Sequence, residues 1–110
     1  MHTQTPDTVL DQATRRRFKQ IAHHLSPVVL VGDQGVSEAL VSETDRALRD
    51  HELIKVRIAA GERAQRAEMI DALASACGAQ VVQRIGRICV LFRRNPEPNP
   101  KLSNLSRFGA

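Results

Sequence analysis

Residues 28–35 read Val-Val-Leu-Val-Gly-Asp-Gln-Gly, an apolar run that breaks into Gly-x-x-Gly. A short, continuous apolar run bounded by turn residues predicts a buried strand over 28–31. Just beyond it Ser37 can cap a helix, with Val36 and Val41 spaced as a hydrophobic staple. This strand–loop–helix unit decides the class. A strand that leads through a helix into a second strand makes a parallel, right-handed crossover, the building block of an α/β domain. The loop carries chemistry of its own. Glycines at both ends let a ligand approach the main chain, and the helix start behind them favours an anion.

The flanking sequence supplies the other elements. Leu10, Ala13, Phe18, Ile21, Ala22 and Leu25 recur near the helical period, predicting a first helix over 10–25 that Pro27 terminates. The second helix, over 37–50, has the inner stripe Leu40, Thr44, Ala47 and Leu48. Residues 53–58 alternate: Ile54, Val56 and Ile58 point one way, Leu53, Lys55 and Arg57 the other. A third helix over 62–77 buries Ala67, Ile70, Leu73, Ala74 and Cys77, and Gly78 stops it. Residues 80–84 and 88–93 then form a hairpin across Ile85-Gly86-Arg87.

The order is α-β-α-β-α-β-β: one α/β domain at 10–94, with a four-stranded mixed sheet and three helices. Helices on one face leave the Lys55 and Arg57 face open. Residues 1–9 are a polar lead-in. Residues 95–110, with Pro96, Pro98 and Pro100, are expected to be an extended, disordered tail in which Leu102, Leu105 and Phe108 can make a transient contact.

The 110 residues are 42% hydrophobic and 25% charged, ordinary for a globular chain, but the net charge is +4. The sequence pI is about 9.8, which points to an acidic polymer or surface as partner. The cations are concentrated in the second half, where ten Lys or Arg stand against Glu62, Glu68, Asp71 and Glu97. No run of apolar residues is long enough to span a membrane, and the N-terminus lacks the pattern of a secretory signal. The expected location is the cytoplasm, with Cys77 and Cys89 reduced and buried. Their spacing fits neither a disulfide framework nor zinc. Catalytic constellations, a Walker loop and metal-binding histidine spacing are not legible, so no cofactor, metal or small-molecule substrate is expected.

The candidate binding residues follow from charge and position. Gly32, Asp33, Gln34 and Gly35 form the loop. Lys55 and Arg57 share a strand face about 7 Å apart, near the spacing of successive phosphates. Arg63 and Arg66 fall near the first turn of a helix, where cations oppose the dipole and so lack a local structural gain, unless Glu62 and Glu68 pair with them. Arg84 and Arg87 flank the hairpin turn, Arg87 being the more exposed. Arg15, Arg16, Arg17 and Lys19 add a basic patch on the first helix. With no Trp or Tyr and three Phe, recognition by shape and backbone charge fits better than base stacking.

Four runs carry a resemblance to a known family. They are His24–Val29 (His-Leu-Ser-Pro-Val-Val), Val31–Gly35 (Val-Gly-Asp-Gln-Gly), His51–Ile58 (His-Glu-Leu-Ile-Lys-Val-Arg-Ile) and Gln83–Arg87 (Gln-Arg-Ile-Gly-Arg) leading into Val90–Arg93. In this order and spacing, over about 14–94, the chain resembles the CRM domain (chloroplast RNA splicing and ribosome maturation) in its small bacterial stand-alone YhbY form. The resemblance implies a fold similar to the C-terminal domain of translation initiation factor three. It also implies a non-enzymatic protein that binds structured RNA, 23S-type ribosomal RNA in the precursor of the large subunit; a monomer is expected, although the sequence leaves oligomeric state open. Two departures stand out. The loop has Asp33 and Gln34 where the family often has a basic residue, and Phe92 stands where tyrosine is common. The alternative from another class is a protein-interaction module using the tail or the acidic second helix.

Overall fold

A computed structural model describes residues 10–108, so the lead-in at 1–9 and the last two residues lie outside the described residues. Helix α1 (Gln12–His23) begins at Asp11, whose carboxylate accepts the Thr14 amide at 2.7 Å. That backbone bond holds the Asp11 pKa below its ordinary value. The apolar run forms only a three-residue strand, β1 (Val29–Val31). Then come α2 (Glu38–His51), capped by Ser37 through the Leu40 amide at 3.1 Å, and β2 (Leu53–Ile58). Helix α3 (Arg63–Cys77) ends on Gly78 at φ +63°, a left-handed stop. Strands β3 (Gln80–Ile85) and β4 (Ile88–Phe92) form the hairpin, and a short helix α4 (Asn104–Phe108) closes the chain.

The four strands make one sheet in the order β1-β2-β4-β3. Strands β1 and β2 are parallel, with Leu30 beside Arg57, whereas β4 runs antiparallel to both neighbours. The sheet is therefore mixed, as the sequence predicts. Crossovers β1-α2-β2 and β2-α3-β3 step the same way across the sheet, which puts both helices on one side. There Val29, Val31, Ile54, Val56, Ile58 and Leu91 pack against Leu40, Leu48, Ile70 and Leu73.

The other side differs from expectation. It is not left open along its length, because α1 lies across part of it. Phe18, Ile21 and Ala22 cover Leu53, Val82, Val90 and Phe92, with the Phe18 and Phe92 rings 4.7 Å apart. A β-bulge between Val81 and Gln83 lets Val81 join the first core and Val82 the second. The Arg15 guanidinium donates to both bulge carbonyls, Val81 at 3.0 Å and Val82 at 2.8 Å. One cation of the basic patch on α1 is thus structural.

The C-terminal segment also departs from expectation. It is not a solvated extension but a folded strap, and α4 is a fourth helix. Ser103 and Asn104 are buried and Leu105 packs on the α1 core. The anchor is Glu52, buried at the end of α2 with φ +63°. Its carboxylate accepts the Asn95 amide at 2.7 Å and the Ser103 hydroxyl at 2.8 Å. Asn104 donates to the Leu53 carbonyl at 2.7 Å, and His51 Nδ1 lies 2.9 Å from the Leu102 carbonyl. The side chains of His51 and Glu52, with the main-chain carbonyl of Leu53, hold this strap down.

Candidate nucleic-acid interface

Parallel pairing sends the ends of β1 and β2 to the same edge of the molecule, and the antiparallel hairpin brings its turn there too. The Ala59 amide donates to the Val31 carbonyl at 2.8 Å, and the Ile58 amide to the Arg87 carbonyl at 2.7 Å. Three connections therefore meet: the glycine turn at 32–35, the approach to α3 at 59–62 and the hairpin turn at 86–87. The first turns of α2 and α3 both start at this edge, so two positive dipole ends lie there.

In the glycine turn the Gly35 amide donates to the Gly32 carbonyl at 3.0 Å, and Asp33 and Gln34 occupy the exposed corner. Gly35 has φ +68° and needs to be glycine. Gly32 does not. Its φ is not positive, and a methyl group there would meet nothing within 4 Å. Met69 of α3 supports the turn from below: a Cβ on Gly35 would lie 3.8 Å from its sulfur, and one on Gly61 3.0 Å from its methyl. Methionine reads as one more apolar helix residue in the sequence, so this linking role carries no local signal.

The structure brings Arg63, Arg66 and Arg84 together around a hollow of about 370 Å³ beside Gly86. Among the described residues neither Arg63 nor Arg66 is ion-paired with Glu62 or Glu68. Arg66 Nη1 donates to the Gly61 carbonyl at 3.0 Å, while its Nε is buried without a partner. Gln65 Oε1 accepts the Glu62 amide at 2.9 Å in a capping box. Arg84 is different, since it is ion-paired with Asp71 of α3. Arg87 is exposed, yet its guanidinium folds back toward the Ala59 carbonyl at 3.3 Å. It braces the connection into α3. Arg57 is exposed in the row Leu30–Arg57–Ile88–Ile85, and Lys55 is half-buried in the next.

One arginine near the hairpin by sequence lies elsewhere in space. Arg93 leaves β4 at the opposite edge, where it bonds Asp45 at 2.6 Å and the Cys77 carbonyl at 3.0 Å, tying α2 to α3. His24 stacks on Phe108, with ring centroids 6.5 Å apart. Carboxylates at the loop edge are Asp33 at the corner, Glu38 in the first turn of α2, Glu62 at the start of α3 and Asp71 against Arg84.

With this geometry in view, residues 10–93 match the CRS1 / YhbY (CRM) domain. The chain belongs to the CRM domain family. PA4753 of Pseudomonas aeruginosa, named a probable RNA-binding protein, is 46% identical over 99 residues, covering 90% of this chain and 95% of the relative. A Haemophilus influenzae protein named an RNA-binding protein is 39% identical over 95 residues, covering 86% and 96%. The solution structure of the hypothetical protein SAV1595 from Staphylococcus aureus, for which RNA binding is the candidate role, superposes with a TM-score of 0.71 at 28% identity. That match covers 81% of this chain and 93% of the other. The CRM match ends at Arg93, so the strap that follows lies beyond the family domain.

No helix among the described residues is long and apolar enough to cross a membrane. Among the same residues no group of three or more His, Cys, Asp or Glu could hold a metal. Cys77 and Cys89 are buried free thiols. Burial pushes Cys89 up to about 12 and also raises Cys77, with the Asp45 carboxylate adding to the Cys77 shift.

Proposed function

We propose that this CRM domain is a non-enzymatic, cytoplasmic RNA-binding protein. Its target is structured ribosomal RNA of the 23S type, within the precursor of the large subunit. The observation that carries the reading is the meeting of a turn with glycine at both ends, two helix starts and a set of arginines at one edge of the sheet. Gly32 is the sharpest part of it, because the fold itself gives no reason for glycine there. A phosphate or ribose resting against the main chain does.

Arg57, Arg63 and Arg66 supply charge and displace counterions. Arg84 contributes less, its charge being offset by Asp71; Arg66 and Arg87 keep their charge, each with one donor already turned to a backbone carbonyl. Asp33 repels phosphate at the corner and directs contact to the turn's flanks or to a 2′-hydroxyl. Such a protein acts by holding an RNA conformation. Docking of the tail on a protein partner has less support, since Leu105 and Asn104 are already engaged with their own domain.

The test is cosedimentation with large-subunit precursor particles over a salt series, alongside anisotropy on ribosomal RNA fragments. The expected log affinity falls by about 0.7–0.9 per phosphate engaged for each log unit of salt. A flat salt response, or equal binding to unrelated proteins and RNA, overturns the reading.

A further inference from the structure

The half of the sheet that α1 leaves uncovered carries exposed aliphatic side chains that the core does not use. Leu30 is 57% exposed, Ile85 60% and Val28 49%, three of the five large hydrophobics exposed among the described residues. The register places Leu30, Arg57, Ile88 and Ile85 side by side, one from each strand. At strand spacing that row spans about 14 Å. Below it, Lys55, Gln83 and Val90 descend toward α1, where Lys19 and His23 complete a hollow of about 250 Å³. The charged and titratable groups around this surface, Lys19, His23, Lys55 and Arg57, are all cationic or able to become so. No carboxylate lines this hollow; Asp33 stands beyond Leu30 at the loop corner.

An apolar surface flanked by Lys19, Lys55 and Arg57 suits a ligand with apolar faces and a negative backbone. Double-stranded RNA presents its phosphates but hides its bases, and would cover the aliphatic row without replacing its lost water by apolar contact. Unpaired nucleotides do both. A cavity of about 150 Å³ accepts a benzene ring, so the hollow beside Lys55 has room for a nucleobase.

We propose that the uncovered half of the sheet binds a single-stranded stretch of the RNA that the loop edge grips. Bases and riboses lie on Leu30, Ile88 and Ile85, and phosphates lie along Lys19, Lys55 and Arg57. The inference rests on the RNA-binding reading and deepens it: the target is a junction between a structured element and an unpaired strand. Because the platform is aliphatic, it tolerates any base.

The experiment compares anisotropy of a short RNA hairpin with the same hairpin carrying an oligouridine extension on its 5′ or 3′ side. One extension should tighten binding to the wild-type protein about tenfold. Leu30→Ser with Ile85→Ser should remove that gain and leave affinity for the bare hairpin within about twofold. Should the double substitution unfold the chain by circular dichroism, Ile85→Thr alone carries the same comparison. An extension that adds nothing, or a gain that survives the substitutions, overturns the proposal and leaves the loop-edge reading standing. Failure of the bare hairpin to bind counts against the loop edge instead. In that case binding of free oligouridine that Leu30→Ser and Ile85→Ser abolish upholds the sheet site, and no binding overturns it.

Discussion

Gly32 and Gly35 stand in one turn and separate the demands of folding from those of binding. Gly35 sits at φ +68°, where an L side chain costs roughly 1–2 kcal/mol. Gly35→Ala should therefore lower stability by about that amount in urea denaturation. Gly32 has no positive φ, and a methyl group added to its α-carbon would meet nothing within 4 Å. Gly32→Ala should leave the urea midpoint unchanged and weaken RNA binding, an outcome that a purely structural glycine would not give. The cysteines mark the opposite case of residues wholly given to the core. With the Cys89 thiol pushed up to about 12, thiolate is scarce at neutral pH and alkylation by iodoacetamide should wait on unfolding. The folded thiol keeps its proton longer than the unfolded one, which titrates near 9.0. Stability from this group is full below that value and declines as pH rises toward 12.

At the scale of elements, the strap at 95–108 shows how a segment poor in secondary-structure signal becomes ordered. Prolines at 96, 98 and 100 exclude helix and sheet there, and only one short helix, α4, forms beyond them. The strap's order comes from Glu52, more than forty positions earlier in the chain, which sits in a left-handed backbone conformation and accepts hydrogen bonds from Asn95 and Ser103. Buried hydrogen bonds to a charged acceptor contribute about 1.5–3 kcal/mol each. Glu52→Gln keeps the shape but loses the charge. It should lower stability by about 1–3 kcal/mol and speed limited proteolysis between Arg94 and Asn104, read by mass spectrometry. Unchanged cleavage would mean that packing of Leu105 alone retains the strap. The sheet has its own economy at this scale: β1 contributes three residues as an edge strand, which limits the backbone available for pairing with another chain.

Across the whole molecule the charges are only partly sorted. Helix α2 carries Glu38, Glu43, Asp45 and Asp50 with Arg46 and Arg49 among them, whereas Lys55 and Arg57 stand on the uncovered sheet, Lys19 on α1 beside it, and Arg63 and Arg66 at the loop edge near Asp33, Glu38 and Glu62. A polyanion approaching such a molecule is oriented before contact. Arg63→Glu with Arg66→Glu should cut RNA affinity at least tenfold at low salt, with the loss shrinking as salt rises. Glu43→Lys on the outer face of α2 should change it by less than about twofold. Equal effects from both changes would show that net charge alone governs binding. At this scale sequence reading was partly blind. Arg57, Arg63 and Arg66 were legible as unexplained cations, but Arg84 and Arg93 look the same in one dimension. Only the fold reveals that Asp71 holds one and Asp45 the other.

The sequence by itself determined the three long helices and the four strands, because their signals are local. An apolar run ends in glycines, a period switches between two and 3.6, a serine or glycine sits at a helix end. Those same signals were enough to order the crossovers and make the sheet mixed. The tertiary structure decided what depends on contacts between distant residues: α1 covering part of the second sheet face, Met69 beneath the glycine turn, Glu52 fastening the strap, and the sorting of arginines into bridges and exposed cations. The cause is physical. Periodicity and capping act within a turn or two of the chain, whereas burial and charge pairing depend on distance in space, which a linear reading does not contain.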